Sequence, residues 1–254
     1  MFPLQLLGFD VDVINSVHFS NHTGYPGGWE GDVMKGDQLR ELLEGLQRNN
    51  LLDGIGHVLT GYIGSVSFLE AVMDVIKTLR QNGRKIRYVC DPVLGDKGKF
   101  YVPKELVELY RDLVIPLADV VTPNQFEVEQ LTGIHIRTIE DAKVACQKLY
   151  SMGPSLIFIT SLELVDTDTM AIVAYQDGKF WRIDCPVLPS HFTGSGDLCA
   201  ALILAHSAMD DDVKSVMEKV INTMYSVLER THATSGTSVQ SRELKLIASK
   251  DLIE

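Results

Sequence analysis

The string His191-Phe192-Thr193-Gly194-Ser195-Gly196-Asp197-Leu198-Cys199-Ala200-Ala201 sets two glycines directly before an apolar helix. Small residues there leave the first-turn N–H groups uncovered. Those donors, with the helix dipole, favour a phosphate and the charge that builds up as a phosphoryl group moves. Asp197 falls in that first turn, within reach of the same space, where a carboxylate can take the proton of an attacking hydroxyl. Taken alone, the string is also an ordinary glycine-rich turn with Asp197 as a helix cap. It is not a Walker loop, because no Gly-Lys-Ser/Thr follows, and not a dinucleotide fingerprint, because it comes late and lacks the third glycine.

Two further clusters carry polar chemistry. Thr122-Pro123-Asn124-Gln125-Phe126-Glu127-Val128-Glu129 puts a threonine, an amide and two acids at a strand end, a set suited to magnesium and phosphate oxygens. Glu127, close to Asn124, is the better candidate, and Glu129 reads as a solvated helix face. Tyr88-Val89-Cys90-Asp91-Pro92-Val93-Leu94-Gly95-Asp96-Lys97-Gly98 places Asp91 and Asp96 around a glycine. His18 and His22 have the spacing of a metal pair, but glycine, serine and asparagine around them do not make a helix, and no third ligand is near.

The elements that must position these residues alternate between strand-length apolar runs and helical periods, the pattern of βαβ units on a mostly parallel sheet. Strands are expected at residues 11–15, 57–60, 86–90, 119–122 and 155–159. Helices are expected at 37–50, with Leu39, Leu42, Leu43 and Leu46 inward, at 65–81, with Phe68, Leu69, Val72, Val75, Ile76 and Leu79 inward, and at 103–112, 125–131, 138–151, 197–208 and 212–230. Gln176-Asp177-Gly178 between residues 170–175 and 179–183 predicts an antiparallel hairpin. Asp91, Thr122, and Thr160 with Ser161 then end three strands on one rim, where ligands bind in open α/β sheets. The tail carries a polar stretch, Ser235-Gly236-Thr237-Ser238.

The chain has 254 residues, 45% of them hydrophobic, enough for one large α/β domain over residues 1–254. Its net charge of −11 disfavours nucleic acid and anionic membranes as partners. Cys90, Cys146, Cys185 and Cys199 show no metal spacing and read as free thiols in a reducing compartment, and the start lacks the pattern of a signal peptide, so a cytosolic protein is expected.

The clusters together resemble the ribokinase superfamily, and within it the pyridoxal kinase family. The residues that carry the resemblance are Phe19-Ser20-Asn21-His22-Thr23-Gly24-Tyr25, Leu59-Thr60-Gly61-Tyr62, the segment from Val89 to Asp96, the segment from Thr122 to Glu127, Ile159-Thr160-Ser161 and Gly194-Ser195-Gly196-Asp197. The resemblance implies a three-layer α-β-α sandwich with helices on both faces of a mostly parallel sheet. It also implies phosphorylation of pyridoxal, pyridoxine or pyridoxamine by ATP, with Mg²⁺ and a monovalent cation, K⁺ or Na⁺, in a homodimer. By the same resemblance Asp197 is the catalytic base and also touches the substrate, and Gly194, Ser195 and Gly196 form the anion hole. Thr23, Phe19 and Tyr62 hold the pyridine ring. Asp91, Asn124, Gln125, Phe126, Glu127, Thr160, Ser161, Leu188, Pro189, Ser190 and Ser195 meet the nucleotide. Asp91 and Glu127 serve Mg²⁺, partly through water, and Asp96 and Thr122 the monovalent ion.

Members of that family begin with a further strand and a Ser-His-containing segment ahead of the residues matching Phe2-Pro3-Leu4-Gln5. Without it two sheet edges and an open acceptor pocket are expected. An active kinase is therefore set beside two alternatives: an impaired, truncated isoform that binds nucleotide or a full-length subunit, and a related hydroxymethylpyrimidine or sugar kinase.

Overall fold

The computed structural model describes residues 1–164, 169–236 and 238–254, so Thr237 of the polar tail lies outside the described residues. Along the chain, α1 (Phe2–Leu6), β1 (Val17–Phe19), β2 (Gly31–Val33) and α2 (Gly36–Arg48) lead to β3 (His57–Thr60), α3 (Val66–Leu79) and β4 (Arg87–Cys90). The short strands β5 (Gly95–Asp96) and β6 (Lys99–Phe100) follow, then α4 (Glu105–Leu109), β7 (Val120–Val121), α5 (Gln125–Thr132) and α6 (Ile139–Ser151). The chain continues through β8 (Leu156–Glu163), β9 (Thr169–Gln176), β10 (Lys179–Pro186), α7 (Ser195–Met209), α8 (Val213–Ala233) and α9 (Lys250–Ile253).

Six strands form one sheet in the order β10-β9-β8-β7-β4-β3. The last four named, β8 to β3, are parallel, and β9 and β10 add antiparallel at one edge. Successive side chains of a strand face opposite sides. Tyr88, Cys90, Val121, Ile157 and Ile159 therefore enter a core with α2 to α6, while Val89, Val120 and Phe158 enter a second core with α1, α7, α8 and α9. This is the expected three-layer sandwich. The central strands are buried on both faces, which is why their sequences are continuous apolar runs.

Local signals set most boundaries. In α5, Asn124 Oδ1 accepts from Glu127 N (2.9 Å) and Glu127 Oε2 accepts from Asn124 N (2.8 Å), a capping box, and left-handed Gly133 ends the helix at φ 69°. Asp177 (φ 49°) and Gly178 (φ 80°) make the hairpin turn between β9 and β10. A Cβ on Gly36 would lie 2.1 Å from Ser67 O, so only glycine lets α2 approach α3 so closely.

Four expectations change. Residues 11–15 form no strand; they run beside β3, with Phe9 edge-on to His57 (centroids 5.7 Å apart) and Ser16 Oγ donating to Tyr62 O (2.5 Å). Leu42 is 45% exposed and Val75 only partly buried, because the apolar stripes of their helices are narrower than the sequence pattern. The helix expected at 103–112 is α4 followed by a π-helical turn (Tyr110–Val114) and a 3-10 turn (Ile115–Leu117), where Pro116 cannot donate to an α-helical ladder. Finally, β8 does not stop before Thr160 but runs on to Glu163 through an irregularity between Ile159 and Leu162.

Candidate active site

Backbone bonds stitch the rim together. Asp91 N donates to Thr60 O (3.0 Å), Thr122 N to Cys90 O (3.1 Å) and Thr160 N to Pro123 O (3.0 Å), so the ends of β3, β4 and β7 lie side by side next to Thr160 within β8. Asp91 sits buried just past β4, and Pro92 closes the strand. Burial pushes its carboxyl well above the ordinary range, and the neighbouring Glu127 and Asp197 charges push it further. Thr122 Oγ1 is buried and, among the described residues, without a hydrogen-bond partner of good geometry, yet it lies close enough to draw the Asp91 carboxyl partly back down.

Glu127 is the most committed side chain of the rim. Its Oε1 accepts from Leu94 N (3.0 Å) and Gly95 N (3.5 Å) in addition to the Oε2 bond from Asn124 N, tying the turn after β4 to the start of α5. Burial raises its carboxyl to about 7 against the pull of those three amides, and Asp96 adds to the rise. Asn124 Nδ2 donates to Gly95 O (2.8 Å), and Phe126 packs edge-on against Phe100 (5.0 Å). Gln125 bridges Ile136 O (3.0 Å) and Glu163 N (2.8 Å). These side chains are engaged within the protein and frame the rim from behind. Asp96 Oδ1 accepts from Lys97 N (2.9 Å), and Lys97 Nζ reaches Glu163 Oε1 at 2.7 Å.

Opposite the rim stands α7. Apolar on every side, it is held in the second core from Leu198 to Ala205, so its first turn is fixed in place. Gly194 is left-handed (φ 87°), no side chain caps the helix, and the first helical bond runs from Leu198 N to Gly194 O (3.0 Å). The N–H groups of Ser195, Gly196 and Asp197 therefore project beyond the helix. A Cβ on Gly196 would lie 3.9 Å from Asp91 Oδ2, and one on Gly61 3.6 Å from Asp197 Oδ1, so Asp91, Asp197 and the segment after β3 meet at one cleft. Asp197 opens to solvent on the cleft side and is enclosed by protein elsewhere. This partial burial raises its carboxyl, opposed by the amino group of Met1 and by His22.

His22 belongs to the loop joining β1 and β2, and its charge acts on the Asp197 carboxyl, so that loop lies near the cleft. Phe19 stacks on Trp29 with ring centroids 3.9 Å apart, and Thr23 is exposed in the loop. Tyr62 follows Gly61 and is half-buried. Farther along the chain, Ser190 Oγ and His232 Nδ1 are hydrogen-bonded at 2.7 Å and Ser190 N donates to Leu188 O (2.7 Å), which shapes the turn at Leu188, Pro189 and Ser190. Sequence reasoning missed Trp29, His232 and the second bank of Glu127's bonds. Only Trp29 carried a signal, a large aromatic beside two glycines in a polar loop.

Among the described residues no three His, Cys, Asp or Glu side chains form a ready-made metal cluster. What the cleft offers a cation is different: crowded carboxylates whose charge is disfavoured until compensated, and an orphaned threonine hydroxyl.

A family model described as phosphomethylpyrimidine kinase matches residues 38–240. A pyridoxal kinase of Arabidopsis thaliana is 47% identical, over 99% of this chain and 84% of its own length, and one of Homo sapiens is 41% identical over 100% and 88%. The chain belongs to the pyridoxal kinase family. A solved pyridoxal kinase from Leishmania donovani, in complex with ADP and pyridoxamine, superposes with a TM-score of 0.92 at 31% identity, covering 99% of this chain and 88% of that one.

Within this pyridoxal kinase family member, the raised carboxyl of Glu127 is expected to make stability depend on pH. Its carboxyl lies at about 7 in the fold and near 4.5 unfolded, so folding takes up a proton between those values. That contribution to stability is fully present below pH 4.5 and lost as pH rises through about 7. The melting profile of the wild type minus that of Glu127→Gln, without divalent metal, is expected to fall across this window. A flat difference would remove the titration from Glu127.

Proposed function

We propose that this chain transfers the γ-phosphoryl group of ATP to the 5′-hydroxymethyl group of pyridoxal, pyridoxine or pyridoxamine, giving the 5′-phosphate and ADP. The observation that carries this reading is Asp197, open to the cleft beside the projecting amides of Ser195 and Gly196 and faced by the β1–β2 loop. Asp197 takes the hydroxyl proton as the oxygen attacks the γ-phosphorus, and the bond to the leaving ADP oxygen breaks. The amides hold the equatorial oxygens while charge redistributes. Phe19, Trp29 and Tyr62 supply the apolar and aromatic surface that encloses a pyridine ring.

Asp91 and Glu127 suit Mg²⁺, Glu127 through water because its oxygens already accept three amides. Bound there, the ion would neutralise phosphate charge. The orphaned Thr122 Oγ1, with Asp96, suits a monovalent cation, K⁺ or Na⁺. Buried free thiols at Cys90, Cys146 and Cys199 accord with a cytosolic setting, and among the described residues no helix is long and apolar enough to cross a membrane. A homodimer is part of the same proposal, by likeness to the family.

The matching family model is described as phosphomethylpyrimidine kinase, which keeps a substituted pyrimidine, such as hydroxymethylpyrimidine, as a second acceptor reading. Turnover of the purified protein with Mg-ATP and each acceptor decides between them. Product from pyridoxal, with none from hydroxymethylpyrimidine or a sugar, is expected. The reverse preference would replace the acceptor, and ATP binding without any product would identify an impaired chain.

A further inference from the structure

We infer that Tyr25 and Glu243 form a latch that positions the acceptor side of the cleft against the anion-binding side. The inference rests on the proposed acceptor only in its kinetic consequence. The phenol O–H of Tyr25 donates to Glu243 Oε1 at 2.5 Å, joining residues 218 positions apart. Such charge-assisted O–H···O bonds are roughly twice as strong as neutral ones.

Both ends of the latch are built into the cleft. On the acceptor side, Tyr25 N donates to His22 O (3.3 Å) and Gly28 N to Tyr25 O (3.1 Å), so the loop's turns close on Tyr25 itself. The same loop carries Thr23, and its His22 lies near enough to act on the Asp197 carboxyl. On the other side, Glu243 sits opposite Thr193 in a parallel bridge, and Thr193 N donates to Arg242 O (3.2 Å). Thr193 directly precedes Gly194, where the anion pocket begins.

Glu243 is no loose tail. Its N–H donates to Gln240 O (3.3 Å), and Lys245 N donates to the hydroxyl of Thr231, a wholly buried residue of α8. The latch thus refers a surface loop to a core helix. Tyr25 is only partly buried and belongs to neither core, so the fold depends on it little. Its loss should move the loop, and with it acceptor binding, while nucleotide binding on the far rim stays as it was.

Kinetics with Mg-ATP and pyridoxal on Tyr25→Phe, Glu243→Ala, Glu243→Gln and the Tyr25→Phe/Glu243→Ala pair test this. Each of the first two is expected to raise KM for pyridoxal about three- to tenfold, the range for losing one partly solvated charged bond, and to leave KM for ATP unchanged. The pair should be no worse than either single change, and Glu243→Gln, which keeps an acceptor oxygen, should recover most of the loss. Additive losses, or an equal rise in KM for ATP, would overturn the latch. Amide exchange of the free proteins reads it without any substrate: residues 20–28 should exchange faster in Tyr25→Phe, with β8 unchanged. Unchanged exchange overturns the latch whatever the acceptor. Faster exchange in a protein whose wild type does not turn over pyridoxal upholds the latch and strikes the acceptor assignment instead.

Discussion

Asp197→Asn is expected to lower kcat by about 10²–10⁴-fold, the range that general-base catalysis supplies, with ATP affinity nearly intact. Asparagine has almost the shape of aspartate but cannot take up the hydroxyl proton. The projecting amides of Ser195 and Gly196 are backbone groups that the substitution leaves in place, so phosphate binding survives. Only the transition state requires the proton acceptor, which puts the loss in kcat. The check is steady-state turnover beside an ATP titration. A parallel loss of ATP affinity would make Asp197 a binding residue instead.

The largest stability effect is expected from Glu127→Ala. It would strand the amides of Leu94, Gly95 and Asn124, which all donate to this one carboxylate. Unsatisfied buried donors cost about 1–3 kcal/mol each. Removing a carboxyl that burial already disfavours offsets part of this, leaving a net loss of roughly 3 kcal/mol, or about 6–12 °C in Tm for a chain of this size. Thermal melting together with a magnesium titration separates the roles. A higher magnesium requirement at unchanged Tm would make Glu127 a metal-site residue alone.

The sequence could be read where a feature depends on neighbours within a few positions. Asp177-Gly178 spells a hairpin and stands where expected, and the capping box of Asn124 and Glu127 and the stop at Gly133 are set by residues equally close in the chain. A mostly parallel α/β sheet and the strand ends at Asp91 and Thr122 followed from apolar runs ending in polar residues, whereas Thr160 falls inside β8. Features decided by distant partners could not be read. Residues 11–15 alternate like a strand, yet a strand exists only when its backbone finds a partner, and among the described residues none of 11–15 makes a backbone hydrogen bond. Gln125 and Phe126 sit within a ligand-like motif but spend their contacts on Ile136, Glu163 and Phe100, residues no local pattern links to them. Tyr25 and Glu243 are opposite ends of the sequence made neighbours by the fold.

The position of β3 at the end of the sheet bears on how copies of the molecule behave in a crowded solution. A terminal strand presents a row of backbone donors and acceptors that any extended segment of another chain can match. Val13 and Ile14, on the stretch ahead of β1, are exposed apolar residues as well. Mutual repulsion from the net charge of −11 holds such neighbours away, and its reach shrinks from about 30 Å at 0.01 M salt to about 8 Å at 0.15 M. Concentrated protein at high ionic strength is therefore the condition in which strand-to-strand association competes most strongly with the separate, folded chain.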